Sequence, residues 1–170
     1  MPNLVKFCGG KTLKNNVAAF IDRSLNIKKL PDGIEDIGNY AFSNCADLSL
    51  ALLPDTIKTI GHYAFTGCKK LSITSLPMSI TSIGDSAFYD CQSISLTSLP
   101  ENITRIGSWT FYRCLKITTL SIDSAIQEIH QYAFHSCTNL ASITIDRAQD
   151  SVAGAPWGAT NATVTWTGTT

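Results

Sequence analysis

An α/β solenoid of stacked 23-residue units is predicted by three observations. Five cysteines, Cys45, Cys68, Cys91, Cys114 and Cys137, follow one another at a constant step with no insertion or deletion. Phe42, Phe65, Phe88, Phe111 and Phe134 keep the same step, as do Ile37, Ile60, Ile83, Ile106 and Ile129. Each unit also has a single apolar side and too few residues to bury it, so identical units must stack into one core. Columns in one register at a period of about 20–50 residues are the mark of a stacked array. With strands about 4.8 Å apart, five units give a core roughly 25 Å long.

Each unit opens on an Ile-Gly pair: Gly38, Gly61, Gly84 and Gly107, with His130 in the fifth place. Next comes the alanine column, Ala41, Ala64, Ala87 and Ala133, with Thr110 in the gap. The GxxAFxxC segment is expected to form one or two helical turns. Ala, Phe and Cys then share a face, and Asn39, Asp85 and Ser108 are of the type that caps N–H groups at a helix start. The stretch after Cys is expected to be a strand of a parallel sheet. Its apolar residues lie three after Cys (Leu48, Leu71, Ile94, Ile117, Leu140) and eight after it (Leu53, Leu76, Leu99, Ile122, Ile145). Pro54, Pro77 and Pro100 follow, and proline ends a strand because it lacks a ladder donor. Ile57 to Ile60, and Ile80 to Ile83, read as a second, shorter extended piece.

One feature leaves two arrangements open. The last two units place apolar residues six and eight after Cys: Leu120 with Ile122, and Ile143 with Ile145. The first three place them at five: Leu50, Ile73 and Leu96, with Ala51, Thr74 and Thr97 at six. A one-residue shift in a strand changes the face. Either the strand bulges and these side chains still point inward, or they form an exposed apolar stripe, which would mark a partner site.

The chain is expected to divide into an N-terminal helical cap (1–29), the repeats (30–145) and a C-terminal capping segment (146–170). Asn15 to Leu25 reads as an amphipathic helix with Val17, Phe20, Ile21 and Leu25 on one side. After Ile145 the repeat signature stops. Val164 and Trp166 alternate with threonines, the pattern of a final strand, and Trp157 and Trp166 are expected to cover the open end of the core.

Composition excludes several classes. Lys plus Arg and Asp plus Glu both number 13, giving no net charge, and there is no basic run to hold a phosphate backbone. Nucleic acid is therefore not an expected partner. No run of about 18 apolar residues exists, so membrane insertion is not expected. The start, MPNLVKFCGGKTLKNN, lacks the apolar stretch of a secretory signal. Either the protein acts where it is made, or it is a piece of a longer exported chain.

No chemistry-bearing constellation emerges. Disulfides between column cysteines would need Cβ atoms about 3.8 Å apart, closer than stacked equivalents lie. Metal ligands must converge on a point, and a 23-residue column is a line. The five are therefore expected to be buried free thiols acting as small hydrophobes, with Cys8 outside the column. Gly10-Lys11-Thr12 lacks the earlier glycine of a phosphate loop, since Val5 stands there. His62, His130 and His135 have no completing ligand set and read as surface residues. Neither GxSxG nor HExxH occurs. No catalytic residue, cofactor or metal is expected.

The repeated IGxxAFxxCxxL, followed by an L-P strand end, resembles the BspA-like leucine-rich-repeat family of bacterial and protist surface proteins. The resemblance covers roughly residues 30–145. It implies a right-handed solenoid with a parallel β-sheet on the concave face, short helical turns opposite, and protein binding or adhesion at a cell surface or after secretion. Catalysis is not a trait it implies. The Pro-Trp-Gly-Ala-Thr-Asn-Ala-Thr tail resembles the ends of such proteins from gut bacteria and their phages.

The expected partner-binding strip lies on the concave face. Leu52, Ser75, Ser98, Ser121 and Thr144, seven after each Cys, alternate away from the core residue at eight. With Leu50, Ile73, Leu96, Thr119 and Ser142 they would make a mildly apolar, hydroxyl-rich surface suited to a protein, peptide or glycan ligand. The other function carried forward is a passive structural or spacer segment of a larger surface or phage structural protein.

Overall fold

A computed structural model describes residues 12–13, 28–149 and 151–168. The expected helix at Asn15 to Leu25, and Cys8, lie outside these residues. The chain winds into a solenoid of about six turns whose strands all pair in parallel.

Two ladders run along it. The first consists of two-residue strands: β1 (Thr12–Leu13), β2 (Asp36–Ile37), β3 (Thr59–Ile60), β4 (Ser82–Ile83) and β5 (Arg105–Ile106). β1 to β4 form one sheet, and β5 pairs with β7 (Glu128–Ile129) in another. This is the short extended piece read from Ile57 to Ile60. In β2 to β5 and β7 the isoleucine faces inward and is buried, and its neighbour faces out. β1 extends this ladder into the expected N-terminal cap, Leu13 pairing with Ile37.

The second ladder, after the cysteines, is regular only at one end. β6 (Thr119–Ile122), β8 (Ser142–Ile145) and β9 (Thr163–Trp166) pair in register, Leu120 with Ile143 with Val164. Earlier units join it through a single bridge, Ser98 to Ser121. The cause is the offset noted above. Leu50, Ile73 and Leu96 are buried, as are Leu53, Leu76 and Leu99, while the two residues between them in each unit are exposed. Two consecutive outward residues between two inward ones break the alternation a strand needs, so the chain bulges. The apolar stripe is internal.

The helical turns expected at GxxAFxxC do not form, and no helix occurs among the described residues. The fold is therefore a β-solenoid and not α/β. Tight turns replace the helix: Ala41 N–H donates to Gly38 O at 3.2 Å and Cys45 N–H to Phe42 O at 3.1 Å. Tyr40 and Asn44 sit at φ 59° and 62°, as do Tyr63, Ser86 and Trp109 at 55–57°. A left-handed residue every few positions stops right-handed helix propagation. The remaining N–H groups reach sideways: Phe42 to Ala64 O at 2.7 Å, Phe65 to Ala87 O at 2.8 Å, Phe88 to Thr110 O at 3.0 Å. With no helix to cap, the expected caps Asn39 and Asp85, joined by His62, accept from the next rung instead. Asn39 Oδ1 accepts from His62 N–H at 2.8 Å, His62 Nδ1 from Asp85 N–H at 3.0 Å, and Asp85 Oδ1 from Ser108 N–H at 3.1 Å. Rungs approach so closely here that a Cβ on Gly84 would lie 2.5 Å from the His62 nitrogen.

The core is one continuous cluster from Leu30 to Ala159. The five phenylalanines are fully buried and stacked nearly parallel, with centroids 5.3–5.7 Å apart. That exceeds the strand spacing of about 4.8 Å and lies within the centroid range of offset-stacked aromatic pairs. Trp157, 23 residues after Phe134, continues the column past the point where the sequence signature stops. It is fully buried, its carbonyl accepts from Phe134 N–H at 3.0 Å, and it meets the half-buried Trp166 edge-on at 6.2 Å.

The column cysteines are buried and unbridged. They are more than small hydrophobes. Each thiol after the first donates to the phenylalanine carbonyl of the preceding rung: Cys68 to Phe42 O at 3.0 Å, Cys91 to Phe65 O at 3.0 Å, Cys114 to Phe88 O at 3.3 Å and Cys137 to Phe111 O at 2.9 Å. Burial pushes all four thiols far up, Cys137 to about 12. The thiolate is the reactive form. Iodoacetamide at pH 8 is therefore expected to leave these cysteines unmodified in the folded protein and to alkylate them in 6 M guanidinium. Peptide mass mapping reads the difference, and fast native labelling of Cys91 would contradict its burial.

Candidate binding surfaces

The bulge decides what the face formed by the segments after the cysteines presents. Leu50, Ile73 and Leu96, placed in the expected partner strip, are instead core residues, because the bulged backbone turns them inward. Leu52, Ser75 and Ser98 are exposed and line one groove of about 860 Å³. Thr119 and Ser121 are exposed on β6, and Ser142 and Thr144 are half-buried on β8. The β6–β8–β9 register sets Ser121, Thr144 and Thr165 in one row and Thr119, Ser142 and Thr163 in another. The hydroxyl rows therefore form at one end of the face.

At the other end the groove is apolar. Leu52 is 66% exposed and Met78, one residue past Pro77, is 56% exposed. Lys28, Lys29, Asp32 and Asp55 rim it. Met78 was not anticipated: its equivalents are Asp55 and Glu101, so no column announces it. Leu52 and Met78 project from well-packed rungs, so their exposure comes with the fold and not from a loose segment.

A second surface lies on the turn side, opposite in the unit to the strands. Two columns flank the buried Ala-Phe pair; apart from the buried Ser86 their side chains are exposed or half-buried. One reads Tyr40, Tyr63, Ser86, Trp109, Tyr132; the other Ser43, Thr66, Tyr89, Tyr112, His135. Within the first, Tyr40 and Tyr63 stack at 5.0 Å and 1°, and Trp109 and Tyr132 at 4.8 Å and 16°. Within the second, Tyr89 and Tyr112 stack at 4.3 Å, and Tyr112 and His135 at 5.7 Å. Trp109 meets Tyr112 edge-on at 5.4 Å, joining the columns. The period-23 signal for these rings was present in the sequence, but outward positions do not stand out when columns are sought for a core. The same columns place His135 against Trp109 and Tyr112, whereas His62 belongs to the inter-rung ladder.

Among the described residues, no three His, Cys, Asp or Glu side chains converge on a metal site. The ion pairs lie on the surface, as in Arg105 with Asp85 at 3.0 Å and Glu128 at 3.3 Å. Exposed pairs of this kind contribute at most about 1 kcal/mol each. They tie rung to rung and do not create a charged pocket.

A profile of the BspA type leucine rich repeat region matches residues 14–141 in six copies. Among solved structures, the chain is similar to a leucine-rich repeat protein of T. pallidum, at 26% identity and a TM-score of 0.65, covering 93% of this chain and 71% of that one. It is also similar to a leucine-rich repeat protein from Bacteroides ovatus, at 25% identity and a TM-score of 0.55, covering 85% of this chain. The chain spans 50% of the length of that Bacteroides protein. No curated protein matches it.

Proposed function

This chain belongs to the BspA-type leucine-rich-repeat family, and from that premise we propose that it is a non-catalytic binding module whose concave groove takes a protein or peptide partner. The observation that carries the reading is the groove itself. Two large apolar side chains, Leu52 and Met78, stand more than half exposed beside the hydroxyls of Ser75 and Ser98. Apolar anchors within a polar rim are the composition of a protein-binding patch. The rigid, continuous core beneath keeps the ordering cost of binding low. The family resemblance supports adhesion at a bacterial cell surface as the setting. No described helix is long and apolar enough to cross a membrane.

The test is retention of the protein on an array of extracellular-matrix proteins, peptides and glycans, with wild type and the Leu52→Asp/Met78→Asp double variant side by side. Both side chains are exposed, so the variant is expected to keep its melting temperature and lose at least about tenfold in affinity, the effect of removing one hot-spot contact. Retention unchanged by the double substitution would remove the groove from the reading. Retention on no surface at all would leave the passive spacer.

A further inference from the structure

The aromatic column on the turn side skips one rung, where the buried Ser86 stands. Tyr63 and Trp109 are each stacked on one face only, by Tyr40 and Tyr132, and the next position between them is Ser86. Tyr63, Trp109, Tyr89, Tyr112, Thr66 and Ser86 line a cavity of about 450 Å³, with His135 at its edge. From this cavity we infer a binding site for an uncharged pyranose ring of a glycan, independent of the concave groove.

Three observations select that ligand. The first is thickness. Two rung spacings of about 4.8 Å set the ring planes of Tyr63 and Trp109 roughly 9.6 Å apart. A flat aromatic ring touching both faces fills only about 7 Å. A puckered sugar ring, carrying hydrogens on both faces, is thicker and reaches both walls. Its polarised C–H groups meet the negative faces of the rings. The second is the edge chemistry. Thr66 and the buried Ser86 form the floor, the Thr66 hydroxyl donating to the Ser86 backbone O at 2.8 Å. The phenols of Tyr89 and Tyr112 and the imidazole of His135 stand at the side. A sugar presents hydroxyls at that edge, where the phenol and threonine oxygens keep lone pairs that accept from them. The third is charge. No Asp, Glu, Lys or Arg lines the slot, and the charges next in sequence to its lining are paired: Asp90 with Arg113 at 3.3 Å and Lys69 at 3.9 Å, and Asp85 with Arg105 at 3.0 Å. The site is neutral and fits a neutral ligand.

The experiment measures binding of methyl glucoside, methyl galactoside, methyl mannoside, N-acetylglucosamine and their β-linked oligomers by calorimetry and by Trp109 fluorescence. Two variants accompany wild type. Ser86→Tyr restores the missing ring on a backbone already at φ 55°, matching Tyr63; it is expected to fold, raise the melting temperature and abolish sugar binding. Trp109→Ala removes one wall and is expected to weaken binding about tenfold or more. Binding to wild type that both variants lose establishes the site. The inference is overturned if no sugar in the panel binds wild type, if Ser86→Tyr binds as well as wild type, or if an aromatic or proline-rich peptide occupies the slot instead. Leu52→Asp/Met78→Asp reports separately on the concave groove, so either site can fail without the other.

Discussion

Raising the pH from 8 to 11 is expected to unfold this protein cooperatively. Cys68, Cys91, Cys114 and Cys137 are all pushed well above the ordinary thiol range, first of all by burial. In the unfolded chain a thiol titrates near about 8.5. Above that pH the unfolded chain releases four protons that the folded chain retains. Their stabilising effect is fully present below about pH 8.5 and is lost as pH rises toward the folded values, which for Cys137 is about 12. Each thiol contributes about 1.4 kcal/mol per pH unit, so four together tilt the equilibrium by roughly 5 kcal/mol per unit. A domain has about 5–15 kcal/mol in total, so one to three units should exhaust it. Urea melts followed by circular dichroism at half-unit intervals give the slope. Cys91→Ala is expected to reduce it by about a quarter, which separates thiols from lysine and tyrosine ionisation. A stability that stays flat to pH 10 would mean the thiols are not sealed.

Phe88→Ala is expected to cost about 3–5 kcal/mol. Phe88 is fully buried, stacked on Phe65 at 5.5 Å and on Phe111 at 5.6 Å. Its backbone N–H donates to Thr110 O and its C=O accepts from the Cys114 thiol, both on the following rung. The cavity cannot collapse, because rung spacing is set by three sets of lateral hydrogen bonds and the rungs on either side are pinned. A loss below about 1 kcal/mol in denaturant melts would contradict this packing. Because each rung touches only its neighbours, such a lesion should also divide the array into separately melting halves. A broadened transition or a lower m-value is the sign to look for.

The stacking itself was legible in the columns. An inward Phe, Ile or Cys must face its own equivalent one turn on, and no other fold lets five in register be buried at once. The hydroxyl rows on β6 and β8 were legible for the same reason, since Leu120 with Ile122 alternates as a strand does. The helix at GxxAFxxC was not, because Ala, Phe and Cys at those spacings fit a helical face and a turn ladder equally well. What separates the two is where the Phe42 N–H goes, and it goes to Ala64 O on the next rung. Trp157 was expected to cover the open end of the core and is fully buried, but the change from phenylalanine to tryptophan hid its place in the column, 23 residues after Phe134.

The sequence by itself determined the period, the register and the identity of the core columns, because burial acts on each unit through its identical neighbours. Only the tertiary structure decided which way Leu50, Ile73 and Leu96 point, that the GxxAFxxC segments are turns and not helix, and that Tyr63, Trp109 and Tyr112 line one cavity beside Ser86. Those outcomes depend on backbone direction at a bulge and at left-handed residues. Backbone direction is set by hydrogen bonds between rungs, and a pattern of side chains within one rung does not encode it.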